Sequence, residues 1–268
     1  MHAQSHQSDT RILGRRTLQR DHTHLAKLLR PGLSVLDVGC GTGAITVGIA
    51  RAVGAGGLVV GVDRDAGLLE AARQAHQGIA NLEFELADAT ELPFQARFDI
   101  VTAARTLQWI GEPGKAVARM KQAAKPLGRL VVLDYNHAEN EWEPNPPGEF
   151  QAFYRAFLGW RDAHGWDNRM ADHLPELFDS AGLVDIESHV QDEVAQRGDE
   201  AFAEQAALWP QVIENIGEQI SRAGFFEESR LRETRDGYEV WSRTELRKQV
   251  LKKRTVVATV ASPQWADH

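Results

Sequence analysis

One cysteine, Cys40, stands in 268 residues, so neither an intramolecular disulfide nor a structural zinc site built on several cysteines can form. No apolar run comes near the roughly 18 residues a membrane-spanning helix needs. Positive charge is the scarcer sign: 30 Lys and Arg stand against 38 Asp and Glu, a formal net charge of -8. That balance lacks the broad positive field of a dedicated nucleic-acid binder. Residues 1–10 are rich in His, Gln and Ser, lack the basic start and apolar middle of a secretory signal, and read as a loose arm. The composition is that of an ordinary globular protein, 43% apolar and 25% charged. It excludes chain-long disorder, collagen-like repeats and a coiled coil. The expectation is a soluble, cytoplasmic chain of one large α/β domain, with room for a modest lid.

Leu18, Leu25, Leu28 and Leu29 share one helical face over residues 17–29, and Pro31-Gly32 stops that helix. Residues 33–38 are β-prone and run into glycines; residues 44–53 then read as a helix ended by Gly54. The alternation continues. Strands are expected at 58–62, 82–86, 98–103 and 129–133, with helices at 66–76 and 114–124. Strands alternating with helices at this spacing predict a doubly wound parallel sheet. After Asp134 the rhythm breaks. Residues 140–148 hold Pro144, Pro146 and Pro147 and are read as irregular. Helices are expected at 150–162 and 174–181, a strand at 184–190, helical stretches at 200–223 and 227–252, and a last strand at 255–260.

The informative segment is Asp37-Val38-Gly39-Cys40-Gly41-Thr42-Gly43. Glycines at 39, 41 and 43 sit at a strand-to-helix junction, at the carboxyl end of the first strand, where open α/β sheets bind ligands. With Ala44 in the last place the segment also fits G-x-G-x-x-A, the dinucleotide pattern. The Asp before the first glycine, and glycine at 43, favour another reading. Here the chain resembles the class I S-adenosylmethionine-dependent methyltransferases, for which D-V-G-C-G-T-G is a recognisable first motif.

That resemblance implies roles for further residues. Asp63, ending Val60-Gly61-Val62-Asp63, matches the acidic residue that binds both ribose hydroxyls, work suited to a carboxylate that accepts two hydrogen bonds. Arg64 follows it in the same site. Asp88-Ala89 in Ala87-Asp88-Ala89-Thr90-Glu91-Leu92-Pro93-Phe94 matches the adenine-reading pair. Asp37 would orient the glycine loop and the methionyl amine, and Arg105, with Arg15 and Arg16, is available to the cofactor carboxylate. Gln108-Trp109 departs from the family's usual Leu-His-His-Ile. The match covers about residues 30–135. It implies S-adenosylmethionine as cofactor, S-adenosylhomocysteine as product, and a Rossmann-like sheet of seven strands, the last antiparallel.

The chain is therefore read as one methyltransferase domain, with helical lid insertions at about 136–170 and 200–252. Methyl transfer is an in-line displacement, so holding the acceptor about 3–3.5 Å from the methyl is the main task. A base is needed only when the acceptor must lose a proton. His137, just past the fifth strand, is the leading base candidate because imidazole titrates near neutrality. His164 and His173 are weaker base candidates; Trp109, Tyr135, Trp142 and Tyr154 are candidate acceptor walls. The insertion aromatics fit equally well as the core of a helical subdomain. His22 and His24 lack further ligands for a metal, and Cys40 lacks a partner base. The expected acceptor is a small molecule, methylated on oxygen or nitrogen, with no nucleic-acid or membrane partner and a monomeric or homodimeric protein. The rivals are a nicotinamide-dependent oxidoreductase and a non-catalytic S-adenosylmethionine-binding protein.

Overall fold

The structure is a computed structural model that describes residues 14–262; residues 1–10, read as a loose arm, lie outside the described residues. Along the chain come α1 (Leu18–Asp21), α2 (Thr23–Leu28), β1 (Ser34–Val38), α3 (Ala44–Val53), β2 (Leu58–Asp63), α4 (Ala66–Ala75) and β3 (Leu82–Leu86). Then follow β4 (Phe98–Ala104), α5 (Pro113–Ala123), β5 (Ala124–Tyr135), β6 (Glu141–Glu143), α6 (Gly148–Ala163), α7 (Met170–Ser180), β7 (Leu183–Val190) and β8 (Glu193–Gln196). Last are α8 (Phe202–Ala206), α9 (Leu208–Arg222), α10 (Leu231–Thr244), β9 (Lys248–Leu251) and β10 (Lys253–Val260). The chain divides into two compact units. Among the described residues, one takes 14–134, Met170–Gln191 and 254–262; the other takes Tyr135–Arg169 and Asp192–Lys253.

The first unit is built on a seven-stranded sheet in the order β3-β2-β1-β4-β5-β10-β7. Strands β1 to β5 pair in parallel, and β10 runs antiparallel to β7. The central strands are apolar on both faces: Val35, Leu36, Val38, Val59, Val60 and Val62 are all buried. Such runs mark parallel strands covered on two sides by helices. One core, including Val101, Leu130, Val117, Met120, Leu174 and Phe178, lies on the α5 and α7 side. The other joins Leu18, Leu25, Ile49 and Val53 to Val35, Val59 and Val131. At residues 125–128 the chain makes an excursion within β5: Phe98 pairs with Ala124, yet Ile100 pairs with Arg129. Leu127 there has a left-handed φ of 62°.

Expectations fail locally at three places. The stretch 227–252, read as helical, ends in β9, Lys248–Leu251. The helix read over 17–29 is broken at His22, whose φ of -146° ends α1. Its ring is buried, with Nε2 2.9 Å from Thr102 Oγ1. Residues 140–148 are not wholly irregular, because Glu141–Glu143 forms β6 ahead of the three prolines.

In the second unit β6, β9 and β8 make a small antiparallel sheet in the order β6-β9-β8. Helices α6, α8, α9 and α10 bury an aromatic core of Phe150, Phe153, Phe157, Trp209, Tyr238 and Trp241.

Candidate functional site

The glycine loop is shaped by what packs against it. Gly39 has φ +74°, and a Cβ there would stand 2.4 Å from the Thr106 side chain, so only glycine fits. Thr106 is held by its own hydroxyl, which donates toward Val38 O (3.3 Å) and Ala104 O (3.2 Å). Gly43, φ +74°, caps α3 without a side chain; a Cβ there would meet Phe84 at 2.6 Å and His76 at 3.0 Å. The amides of Gly39 and Cys40 both donate to Val62 O, at 2.8 and 3.0 Å.

Asp63 ends β2 and ties loop to strand. Its Oδ2 accepts from Gly41 N at 2.9 Å and its Oδ1 from Asp65 N at 3.0 Å. Asp65 in turn caps α4 by accepting from Gly67 N and Leu68 N. Arg64 is exposed beside it. Asp88 lies at the end of β3, whose register sets Leu86 opposite Asp63. It is exposed, and Oδ1 takes both the Thr90 amide (2.8 Å) and the Thr90 hydroxyl (2.7 Å). Partial burial pushes its pKa up, but these bonds and the charges of Arg64 and Lys115 outweigh that and hold it below the ordinary carboxylate value. Ala89 opens the short turn Ala89–Glu91.

Asp37 is buried and takes a hydrogen bond from Thr46 Oγ1 at 2.7 Å. Burial is the main cause that lifts its pKa to about 7; the Thr46 bond opposes it and the Asp63 charge adds to it. Burial, with the charges of Asp37 and Asp63, also holds the Cys40 thiol well above its usual range, which keeps it protonated.

One of the residues expected at the cofactor is placed otherwise than a cofactor contact would ask. Arg105 is buried in a left-handed turn, φ 61°, and its Nη2 lies 3.3 Å from Asp21 Oδ1. Asp21 also accepts from Thr17 N and Arg20 Nε. Arg105 thus serves an internal ion pair. Trp109 is half-buried in the turn Leu107–Trp109, where Gln108 N donates to the buried Asp134 carboxylate at 3.1 Å. Arg15 lends its carbonyl to Arg20. Sequence reading missed Thr106, Phe84 and His76; all are distant in sequence from the glycines they support.

The other unit holds Tyr135, His137, Trp142, Tyr154 and His164, while His173 lies in the sheet unit. His137 is buried, its ring stacked on Tyr135 (centroids 4.9 Å) and edge-on to Phe157 (5.5 Å). Burial, then the nearby Arg161 charge, pushes its pKa well below the ordinary 6.5, so the ring is neutral and weakly basic. Lys253 Nζ lies 5.7 Å from the Tyr135 ring centroid. Tyr154 donates to His137 O at 2.6 Å and accepts from Asn140 at 2.9 Å. Trp142 Nε1 donates to Gln249 Oε1 (3.0 Å) and Tyr238 Oη (3.2 Å). Trp142 and Tyr154 both pack on Phe150 and Trp209. Both therefore act as core of this unit, with their polar atoms already engaged inside it. His164 stacks on Trp166 and bonds Trp160 O; His173 is exposed. Among the described residues no group of three His, Cys, Asp or Glu is placed to hold a metal.

The residues at the carboxyl edge of β1, β2 and β3 fit S-adenosylmethionine. A carboxylate offers about four lone-pair sites, so Asp63 keeps acceptors beyond its two backbone bonds, and Asp88 carries both of its bonds on one oxygen. The Thr42 hydroxyl in the loop is buried without a partner among the described residues. A seven-stranded sheet of this order, with its antiparallel strand beside β7, is the Rossmann-like methyltransferase fold.

The profile of the methyltransferase domain family matches residues 29–167, just over half of the chain. The chain belongs to the class I S-adenosylmethionine-dependent methyltransferases. It is 39% identical over 128 residues to the ubiquinone/menaquinone biosynthesis C-methyltransferase UbiE of Marinomonas sp. (strain MWYL1), covering 46% of this chain and 51% of that one. It is 32% identical over 161 residues to the trans-aconitate 2-methyltransferase of Deinococcus radiodurans, covering 59% of this chain and 60% of that one. The chain spans about half the length of the curated relatives it matches first. Among solved structures, the YcgJ protein of Bacillus subtilis has the same fold, with a TM-score of 0.60 at 17% identity over 91% of this chain and 99% of that one.

Proposed function

We propose that this chain transfers the methyl group of S-adenosylmethionine to a small organic acceptor. The observation that carries the reading is the row of Gly39–Gly43, Asp63 and Asp88 on adjacent strand ends, inside the region matched by the family. When bound, S-adenosylmethionine supplies a methyl activated by its sulfonium. The loop backbone receives the methionyl end, Asp63 accepts from the ribose hydroxyls, and Asp88 with Ala89 reads the adenine amine. Asp37, bonded to Thr46, braces the loop from within.

The acceptor is proposed to be methylated on oxygen or nitrogen. A carboxylate oxygen or a neutral amine brings a free lone pair, so positioning suffices; a hydroxyl or carbon acceptor must also shed a proton. His137, the candidate for that proton, is a weak base here. Relatives named as C-methyltransferases make carbon the competing site, and carbon-13 NMR of the methylated product separates the two.

Calorimetric titration with S-adenosylmethionine and S-adenosylhomocysteine, with NAD and NADP as controls, tests the cofactor. Binding of the sulfur nucleotides alone is expected; binding of a dinucleotide alone would reject the reading. Asp63→Ala should weaken cofactor binding by about tenfold to hundredfold, the worth of hydrogen bonds to a charged group. Near-normal affinity in that variant would remove Asp63 from the site. Turnover with any acceptor excludes the non-catalytic rival.

A further inference from the structure

The inner side of the glycine loop is fastened by β2, through Val62 O and the Asp63 carboxylate. Its outer carbonyl is met from another element. His76 Nε2 lies 3.1 Å from Thr42 O. His76 ends α4, with its own amide bonded to Ala72 O. The same ring lies against Gly43, together with Phe84, whose carbonyl is held by Arg73 of α4 at 2.8 Å. The two rings sit with centroids 6.2 Å apart. The end of α4 thus holds the loop at a carbonyl that the β2 contacts leave to it.

We propose that His76 is a positioning residue for the cofactor: its Nε2–H holds the Thr42 carbonyl and keeps the loop in the shape that receives the methionyl end. A carbonyl only accepts, so Nε2 carries the hydrogen, as it does in both the neutral Nε2–H tautomer and the imidazolium. The need for a clamp follows from the glycines. Gly39, Gly41 and Gly43 all have positive φ, and glycine loses the most backbone freedom on ordering. A clamp made in the free protein moves that ordering cost out of the binding step.

The inference rests on the cofactor reading above, and its test has two readouts. The variants are His76→Leu, which removes the donor but keeps bulk, and His76→Gln, whose amide N–H restores one. Without ligand, His76→Leu should exchange the amides of residues 39–44 faster than the unsubstituted protein, with the other strands unchanged. In calorimetry it should bind S-adenosylhomocysteine about twofold to tenfold more weakly, and His76→Gln should recover most of both losses. Unchanged exchange and affinity in His76→Leu, or no recovery in His76→Gln, would overturn the proposal. Should His76→Leu fail to fold, His76→Asn takes its place, because its shorter amide cannot reach Thr42 O. Should the unsubstituted protein bind no sulfur nucleotide, the cofactor reading fails, and the exchange comparison alone decides whether His76 clamps the loop.

Discussion

Arg105 shows how far a single residue can be read from sequence. It follows the fourth strand, where a cation could meet a carboxylate, and the structure does give it a carboxylate: that of Asp21. The partner lies 84 residues away, beyond any local pattern. The placing of the glycines, Asp63 and Asp88 at strand ends was legible because it follows from the local strand-turn-helix pattern. Arg105 was not, because its role depends on packing against α1. Removing one member of a buried ion pair leaves the other charge uncompensated, at a cost of about 3–5 kcal/mol. Both side chains here are nearly inaccessible, at 2% and 9%, so Asp21→Asn should lose about 3 kcal/mol in denaturant unfolding of the ligand-free protein. A loss seen only as weaker cofactor binding, with stability intact, would return Arg105 to the cofactor.

At the scale of elements, long periodic segments were legible and short strands were not. The strand expected at 255–260 is found as β10, antiparallel to β7, because a β-branched run is distinctive. Strands β6, β8 and β9 have three or four residues each and no alternation long enough to register. They make Glu141–Glu143, Glu193–Gln196 and Lys248–Leu251 one sheet, which the reading of 227–252 as mostly helical had passed over. The aromatic helix expected at 150–162 is present as α6, but its partners on α9 and α10 make it a core rather than an open wall. Trp209 is 2% exposed and meets Trp142, Phe150, Tyr154 and Phe157. Truncating so large a buried ring typically costs about 3–5 kcal/mol. Trp209→Ala should therefore lower hydrogen-exchange protection first within residues 135–169 and 192–253. Equal loss in strands β1 to β4 would mean that this aromatic cluster is not the core of a separate unit.

For the whole molecule, the two compact units are predicted to answer pH in opposite senses. Asp37 belongs to the sheet unit, and its pKa rises from 3.8 to about 7 on folding. The folded chain keeps a proton there that the unfolded chain sheds, so this contribution is full below about pH 4 and is lost as pH rises through about 7. His137 belongs to the other unit, and its pKa falls well below 6.5 on folding. The unfolded ring binds a proton that the folded ring refuses, so its contribution is present above about pH 6.5 and declines as the solution is acidified. Each effect can be isolated by a variant that cannot titrate. Between about pH 5 and about pH 8, the melting temperature of Asp37→Asn should gain on that of the unsubstituted protein as pH rises, because the amide never becomes a buried charge. His137→Gln should gain on it as pH falls over the same range. Scanning calorimetry of the three proteins gives both slopes, and curves that stay parallel would mean that neither buried group changes its proton affinity on folding.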